Sequence, residues 1–198
     1  MCYQVRQTSS KKDIERRFSA DFLTVIPDYQ REEVSGFTHP KMPVIANSMV
    51  DKIQLFQWGL IPQNQKNTLN ARIETIREKP SFRNFVNQKC LILVNGFYEW
   101  KHVPGERHDR HKYLLSLPDN GSFALAGLWS EWEFLNGEKY RTFTVITTEA
   151  QGIMREIHNT KLRMPVILKR EIEMDWLMGK RTAKLHTDLV ATKIFPLF

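Results

Sequence analysis

Apolar positions along this chain come in short runs. Phe22–Ile26, Val44–Ala46 and Ile53–Leu60 have the length and branching of strands, and Pro27, Pro40, Pro43 and Pro62 punctuate them. Cys90–Val94 is the most continuous run and predicts a buried strand that leads into Gly96-Phe97-Tyr98-Glu99-Trp100. Tyr113–Leu117, Asp119-Asn120-Gly121 and Phe123–Trp129 predict strand, turn and strand. Asn136-Gly137 between two further strand-like runs predicts a hairpin, and Met164–Leu168 predicts another strand. Helical signals are short. Ser9 or Ser10 can cap a polar helix with Ile14 and Phe18 on one face. Ser81 predicts a helix through Phe85 and Val86, Thr148 one to about His158, and Glu171–Met178 a last one. His102–His111 reads as a polar, charge-dense loop. Many short strands with interspersed short helices predict an α+β fold, a single compact domain with a β-barrel-like mixed sheet core and short peripheral helices. No repeat, low-complexity tract or linker divides residues 1–198, so one domain is expected.

Composition narrows the function classes. With 41% hydrophobic and 26% charged residues, the chain matches ordinary globular proteins rather than disordered or fibrous ones. No apolar run approaches a membrane span, and Met1-Cys2-Tyr3-Gln4 opens without an apolar leader, so neither a membrane nor a secretory route is expected. Two cysteines, Cys2 and Cys90, make no disulfide framework and point to a reducing, cytoplasmic compartment. Lys and Arg number 29 against 22 acids, and the net charge of +7 favours a polyanionic partner.

The candidate chemistry starts at Cys2. Aminopeptidases remove Met1 when the second residue is small. A mature N-terminal cysteine then carries an amine titrating near ~8 and a thiol near ~8.5 on adjacent carbons. An aldehyde meeting that pair forms an imine, and the thiol closes onto it as a five-membered thiazolidine. The plainer reading of Cys2 is a small packing residue. Glu99, between Tyr98 and Trp100, is a proton shuttle if aromatics bury it and a solvent-facing glutamate otherwise. His158 is an acid/base or phosphate partner, or a helix-end histidine favoured by the dipole. Trp58 can stack on a base or fill the core. Asn70-Ala71-Arg72-Ile73-Glu74-Thr75, with Arg77, Lys79 and Arg83 nearby, is a phosphate-binding segment or a solvated basic surface. His102, His108 and His111 lack a ligand-like spacing, so no metal is expected. No P-loop, dinucleotide motif or serine elbow appears, and no cofactor is expected.

In order along the chain, several motifs resemble the SRAP family, the SOS response-associated peptidases or abasic-site processing proteins. They are Met1-Cys2, Trp58-Gly59-Leu60-Ile61-Pro62, Asn70-Ala71-Arg72-Ile73-Glu74-Thr75, Phe82-Arg83, Lys89-Cys90-Leu91-Ile92 and Gly96-Phe97-Tyr98-Glu99-Trp100. Ala126-Gly127-Leu128-Trp129, the run from Phe143 to Ala150, and Ile157-His158 with Arg163-Met164-Pro165 complete the set. The resemblance implies one SRAP-like domain with a basic groove for single-stranded DNA. It implies that Cys2 captures the ring-opened aldehyde of an abasic site as a thiazolidine crosslink, a lyase-like activity, and that the protein removes its own Met1. Asn70 would hold the N-terminal residue and the sugar, Glu99 would move protons, and His158 would assist ring opening. Trp58, Arg72, Arg83 and Arg163, with Met164 and Pro165 beside the last, would line the DNA, with Trp58 and Arg163 at the pocket rim. Tyr3 and Val5 would alternate against the core and leave Cys2 facing the pocket. The protein would act as a monomer. An N-terminal cysteine amidohydrolase and a non-catalytic nucleic-acid-binding module are the alternatives.

This chain departs from the family at three places. Tyr3 stands where many members have Gly, and Leu93 and Asn95 replace a common Pro and Asp. Residues 159–162 separate His158 from Arg163 where a single residue is usual, so the fold must decide whether His158 reaches the site.

Overall fold

The structure is a computed structural model that describes residues 2–24, 29–60, 68–106, 109–133, 137–180 and 185–195. Among these the strands are β1 (Gln4–Gln7), β2 (Asp21–Phe22), β3 (Arg31–Ser35), β4 (Lys41–Ala46), β5 (Met49–Trp58), β6 (Asn70–Arg72) and β7 (Lys89–Val94). They continue as β8 (Gly96–His102), β9 (Arg110–Ser116), β10 (Phe123–Glu133), β11 (Lys139–Glu149), β12 (Arg163–Pro165), β13 (Ile167–Leu168) and β14 (Val190–Ile194). The helices are α1 (Lys11–Phe18), α2 (Met154–Ile157) and α3 (Glu173–Leu177).

Five strands close into a ring. β4 pairs with β5 and β7, β7 with β10, and β10 with β11, all antiparallel. A short parallel contact between β11 and β5 completes it, with Thr142 level with Gln57 and Phe143 with Trp58. The indole of Trp58 stacks on Phe143 across this seam at 5.9 Å. A second sheet, in the order β14-β9-β8-β1-β3, is antiparallel throughout. Side-chain alternation sorts the ring strands onto two faces. Val44, Phe56, Ile92, Leu125, Phe143 and Val145 share one apolar cluster with Val5, Phe97 and Leu115 of the second sheet. Ile45, Ile53, Leu91, Ala124, Leu128 and Ile146 enter another, which Ile14 of α1 and Trp176 and Leu177 of α3 cover. Both faces of β7 are therefore buried, and its sequence is a continuous apolar run rather than an alternating one. Gly127 serves the crowding: a Cβ there would sit 2.4 Å from Ile92 Cδ1. The whole is a single compact α+β domain, a barrel-like mixed sheet core with short helices at its edge.

α1 begins where expected, with the Ser10 hydroxyl accepting from the Asp13 N–H at 3.2 Å and Ile14 fully buried. Other helices are shorter than the sequence predicts. Thr148 does not cap one, because β11 runs through Glu149 and Thr148 pairs with Met164 of β12. Residues 83–85 form a single 3-10 turn after Phe82 rather than a helix from Ser81. The last helix is a 3-10 turn at Arg170–Ile172 followed by α3. The polar segment His102–His111 begins at the last residue of β8 and ends in the first two of β9, and its described residues between them lie outside any strand or helix, as a loop is expected to. Asp119-Asn120-Gly121 links β9 to β10 as expected, and these two strands belong to different sheets. Of the strand expected at Phe22–Ile26, Phe22 lies in β2 and Leu23 and Thr24 lie beyond its end, while Val25, Ile26, Ile61, Pro62, His108 and Asn136 lie outside the described residues. β10 and β11 do form the predicted antiparallel pair, out to Glu133 level with Lys139.

Candidate active site

β1 lies between β8 and β3, with Gln4 level with Tyr98 on one side and Ser35 on the other. The Gly36 N–H adds a hydrogen bond to Tyr3 O at 2.8 Å. The N-terminal segment is thus pinned from Cys2 onward, where termini usually fray. Cys2 is fully buried in the cluster that holds Val5, Trp58 and Phe97. The predicted alternation fails at Tyr3. It is half-buried and stacks on Phe37 at 4.8 Å, while Cys2 and Val5 both turn inward.

β8 carries Glu99 into the same interior. Continuing the β1–β8 register by one residue sets Tyr3 level with Glu99. Glu99 is 3% exposed, and burial raises its carboxyl to about 7. The Cys2 thiol is pushed far up, first by burial and then by the Glu99 charge, so it rests as S–H. His158, at the C-terminal end of α2, is also buried, and its Nε2 lies 3.8 Å from Glu99 Oε2. That is ion-pair range but beyond a direct hydrogen bond. Burial holds the imidazole below its usual pKa. Its Nδ1 lies 2.7 Å from Arg163 O and 3.2 Å from Arg163 N. The shorter, carbonyl contact assigns the proton to Nδ1 and aims the Nε2 lone pair at Glu99.

The long segment after His158 is absorbed as a turn. The Leu162 N–H donates to His158 O at 2.9 Å, and Leu162 takes a positive φ of 49°. Asn159 then fastens the turn to β8. Its Nδ2 donates to His102 O at 2.8 Å, and its Oδ1 accepts from the His102 N–H at 3.0 Å. Nothing in the sequence pairs these residues, which lie 57 positions apart.

Asn70 opens β6, which runs parallel to β11 with Asn70 level with Val145. Its Oδ1 and Nδ2 are both buried and have no hydrogen-bond partner among the described residues. Its neighbour Leu69 packs on the Cys2 cluster and accepts the Trp58 Nε1–H at 3.0 Å.

The residues expected to line DNA divide. Arg72 and Arg83 are exposed and take part in no ion pair among the described residues. Trp58 is a correction: at 1% exposure it fills the core under Gly36 rather than standing at a rim. Met164 and Pro165 are likewise buried in β12, and Met164 Sδ accepts from the Gln151 N–H. Arg163 is 8% exposed and commits its guanidinium inward, bidentate to Glu74 at 2.8 and 2.9 Å and to Thr147 O at 2.8 Å. It latches β12 to the segment that follows Arg72. Among the described residues no group of three His, Cys, Asp or Glu is arranged to hold a metal, and no helix is long and apolar enough to cross a membrane. A cleft of about 670 Å³ beside α1, lined by Arg17, Ser122 and Lys169, contains none of Cys2, Asn70, Glu99 or His158.

The family model described as SOS response associated peptidase (SRAP) matches residues 1–194. The Bacillus subtilis (strain 168) abasic site processing protein YoaM is 33% identical over 190 residues, spanning 92% of this chain and 82% of its own. The abasic site processing protein HMCES of Rattus norvegicus is 30% identical over 150 residues, 58% of this chain and 41% of its own. A crystal structure of a Bacteroides thetaiotaomicron protein superposes with a TM-score of 0.85 at 30% identity, covering 98% of this chain and 92% of that one.

Proposed function

Since the chain belongs to the SOS response-associated peptidase family, we propose that it is a DNA-damage protein that processes abasic sites. In this reading it captures the ring-opened aldehyde in single-stranded DNA through Cys2. The observation that carries the reading is that Cys2, Glu99 and His158, from three distant parts of the chain, are all buried, with the Glu99 charge acting on the Cys2 thiol and His158 Nε2 3.8 Å from the Glu99 carboxylate. With Met1 gone, the Cys2 amine adds to the aldehyde carbon and water leaves, giving an imine. Sulfur then bonds to that carbon. Glu99 takes the thiol proton as the C–S bond forms and returns it to nitrogen, so the thiazolidine forms with the loss of one water overall. A carboxyl at about 7 suits both halves of that transfer. Neutral His158 accepts the C1 hydroxyl proton and passes it to the ring oxygen as the C1–O bond breaks, and the Asn70 amide, without a hydrogen-bond partner among the described residues, is available to the sugar. Hydrolysis of the Met1–Cys2 bond by the same groups is the autopeptidase step. Exposed Arg72 and Arg83 carry the strand's phosphates. The protein acts as a monomer in the cytoplasm.

The amidohydrolase alternative needs a ready thiolate, and burial together with the Glu99 charge works against one. The test is intact-mass spectrometry of protein lacking Met1, mixed with single-stranded oligonucleotide carrying an abasic site. An adduct weighing the sum less one water is expected, absent in Cys2→Ser. No adduct from the parent protein, or an equally heat-stable one from Cys2→Ser, would overturn the reading.

A further inference from the structure

Phe37 is 66% exposed, an unusual position for a phenylalanine beside an active site. It stands on the 3-10 turn Gly36–Thr38, and its ring stacks on Tyr3 with centroids 4.8 Å apart and planes 29° apart. Three hydrogen bonds hold the turn. Gly36 N donates to Tyr3 O, the Thr38 hydroxyl donates to Ser35 O at 2.8 Å, and His39 N donates to Gly36 O at 3.0 Å. His39 takes a positive φ of 50°, and its Nδ1 lies 2.8 Å from Trp58 O. Below the turn, a Cβ on Gly36 would come within 3.1 Å of the Trp58 indole, so the backbone lies flat on that ring. Packing therefore fixes Phe37 outward, and Tyr3 beneath it makes a rigid two-ring step.

The step adjoins the candidate nucleophile. Tyr3 follows Cys2 in the chain, and its phenol is held protonated by burial and by the Glu99 charge. An abasic nucleotide lacks a base, so its neighbour in the strand has lost a stacking partner on that side. The exposed Phe37 ring, stacked on the residue that follows Cys2, offers such a surface. Stacking needs only a π-face, so every base fits and purines fit best.

We propose that Tyr3 and Phe37 form a stacking subsite for the nucleobase that flanks the abasic nucleotide. The proposal deepens the function argued above and rests on it. The test uses single strands carrying a tetrahydrofuran abasic analogue, which binds without covalent chemistry. In one strand the flanking base is 2-aminopurine; in the other the flanking positions are tetrahydrofuran as well. The parent protein should quench 2-aminopurine fluorescence and bind the base-flanked strand about 5- to 150-fold more tightly, the range for one aromatic stack. Phe37→Ala and Tyr3→Gly should lose the quenching and most of the preference, with melting temperature showing that each is folded, and Phe37→Trp should keep both. An unchanged preference in folded Phe37→Ala overturns the subsite, as does a parent protein that neither quenches nor prefers the flanked strand. Failure of the abasic-site reading itself appears elsewhere, as absence of a covalent adduct with a true abasic strand.

Discussion

Replacing Glu99 with glutamine keeps the shape of the protonated carboxyl and removes its charge. An ordinary glutamate titrates near 4.5, and Glu99 at about 7 because it is buried. Below pH 4.5 the group is protonated in both folded and unfolded chains, and its burial as a neutral acid costs little. Between pH 4.5 and 7 the unfolded chain releases the proton while the folded one retains it, so folding stability falls as pH rises. Above about 8 both states are ionised and the loss is complete. At 1.36 kcal/mol per pH unit, that interval is worth about 3 kcal/mol. Glu99→Gln escapes this loss. Urea denaturation at pH 4, 6 and 8 should show the two proteins nearly equal at pH 4 and the variant ahead by about 3 kcal/mol at pH 8. For a chain of this size that corresponds to a melting-temperature gap of roughly 6–12 °C. Groups common to both proteins cancel in the difference. Adduct formation should slow in the same variant, the usual opposition between stability and a strained site. A stability gap that stays constant with pH, or a variant that is the weaker protein at pH 8, would refute the argument that burial governs this carboxyl.

Asn159→Ala removes both hydrogen bonds to the His102 backbone and should slow adduct formation while costing about 1–2 kcal/mol in urea denaturation; Asn159 is a positioning residue, so NMR titration of His158 should show its pKa moving toward the usual value as the turn loosens. Arg72→Ala and Arg83→Ala should each make the salt dependence of single-strand binding shallower by about 0.7 in the log–log slope, measured by fluorescence anisotropy. Glu74→Ala strands the buried Arg163 guanidinium and should destabilise the fold by about 2 kcal/mol, less than the ~3–5 kcal/mol of a fully buried pair because Glu74 itself is 44% exposed; thermal denaturation checks this.

What the sequence made legible depended on where each residue's partners lie. Ile14 and its Ser10 cap are four residues apart, and the whole argument for α1 is local. The apolar run of β7 announces burial on both faces whatever covers them. Thr148 misleads for the opposite reason. It is a good cap by itself, but the ladder from β11 to β12 claims it. Residue chemistry together with the SRAP resemblance, rather than periodicity, singles out Cys2, Asn70, Glu99 and His158, and neither gives their exposure. Trp58 and Met164 therefore read as DNA contacts until their neighbours in the core are known. Asn159 and Phe37 escaped notice because each gains its meaning from a distant partner, His102 in one case and Trp58 beneath Gly36 in the other.

The parallel contact that closes the ring has a bearing on how the protein folds. It joins Gln57 and Trp58 to Thr142 and Phe143, so a loop of more than eighty residues must close before two paired positions and one aromatic stack reward it. The antiparallel neighbours on either side carry longer ladders, such as the seven registered pairs from Gly127–Val145 to Glu133–Lys139. The seam is accordingly the last joint to form and the first to open. Slow hydrogen exchange at the β10–β11 amides and faster exchange at Gly59, which donates to Phe143 across the seam, would be its signature. Because the Trp58 ring at that joint also supports the turn at Gly36, a transient opening there would loosen the ground beneath Phe37 while leaving most of the sheet intact.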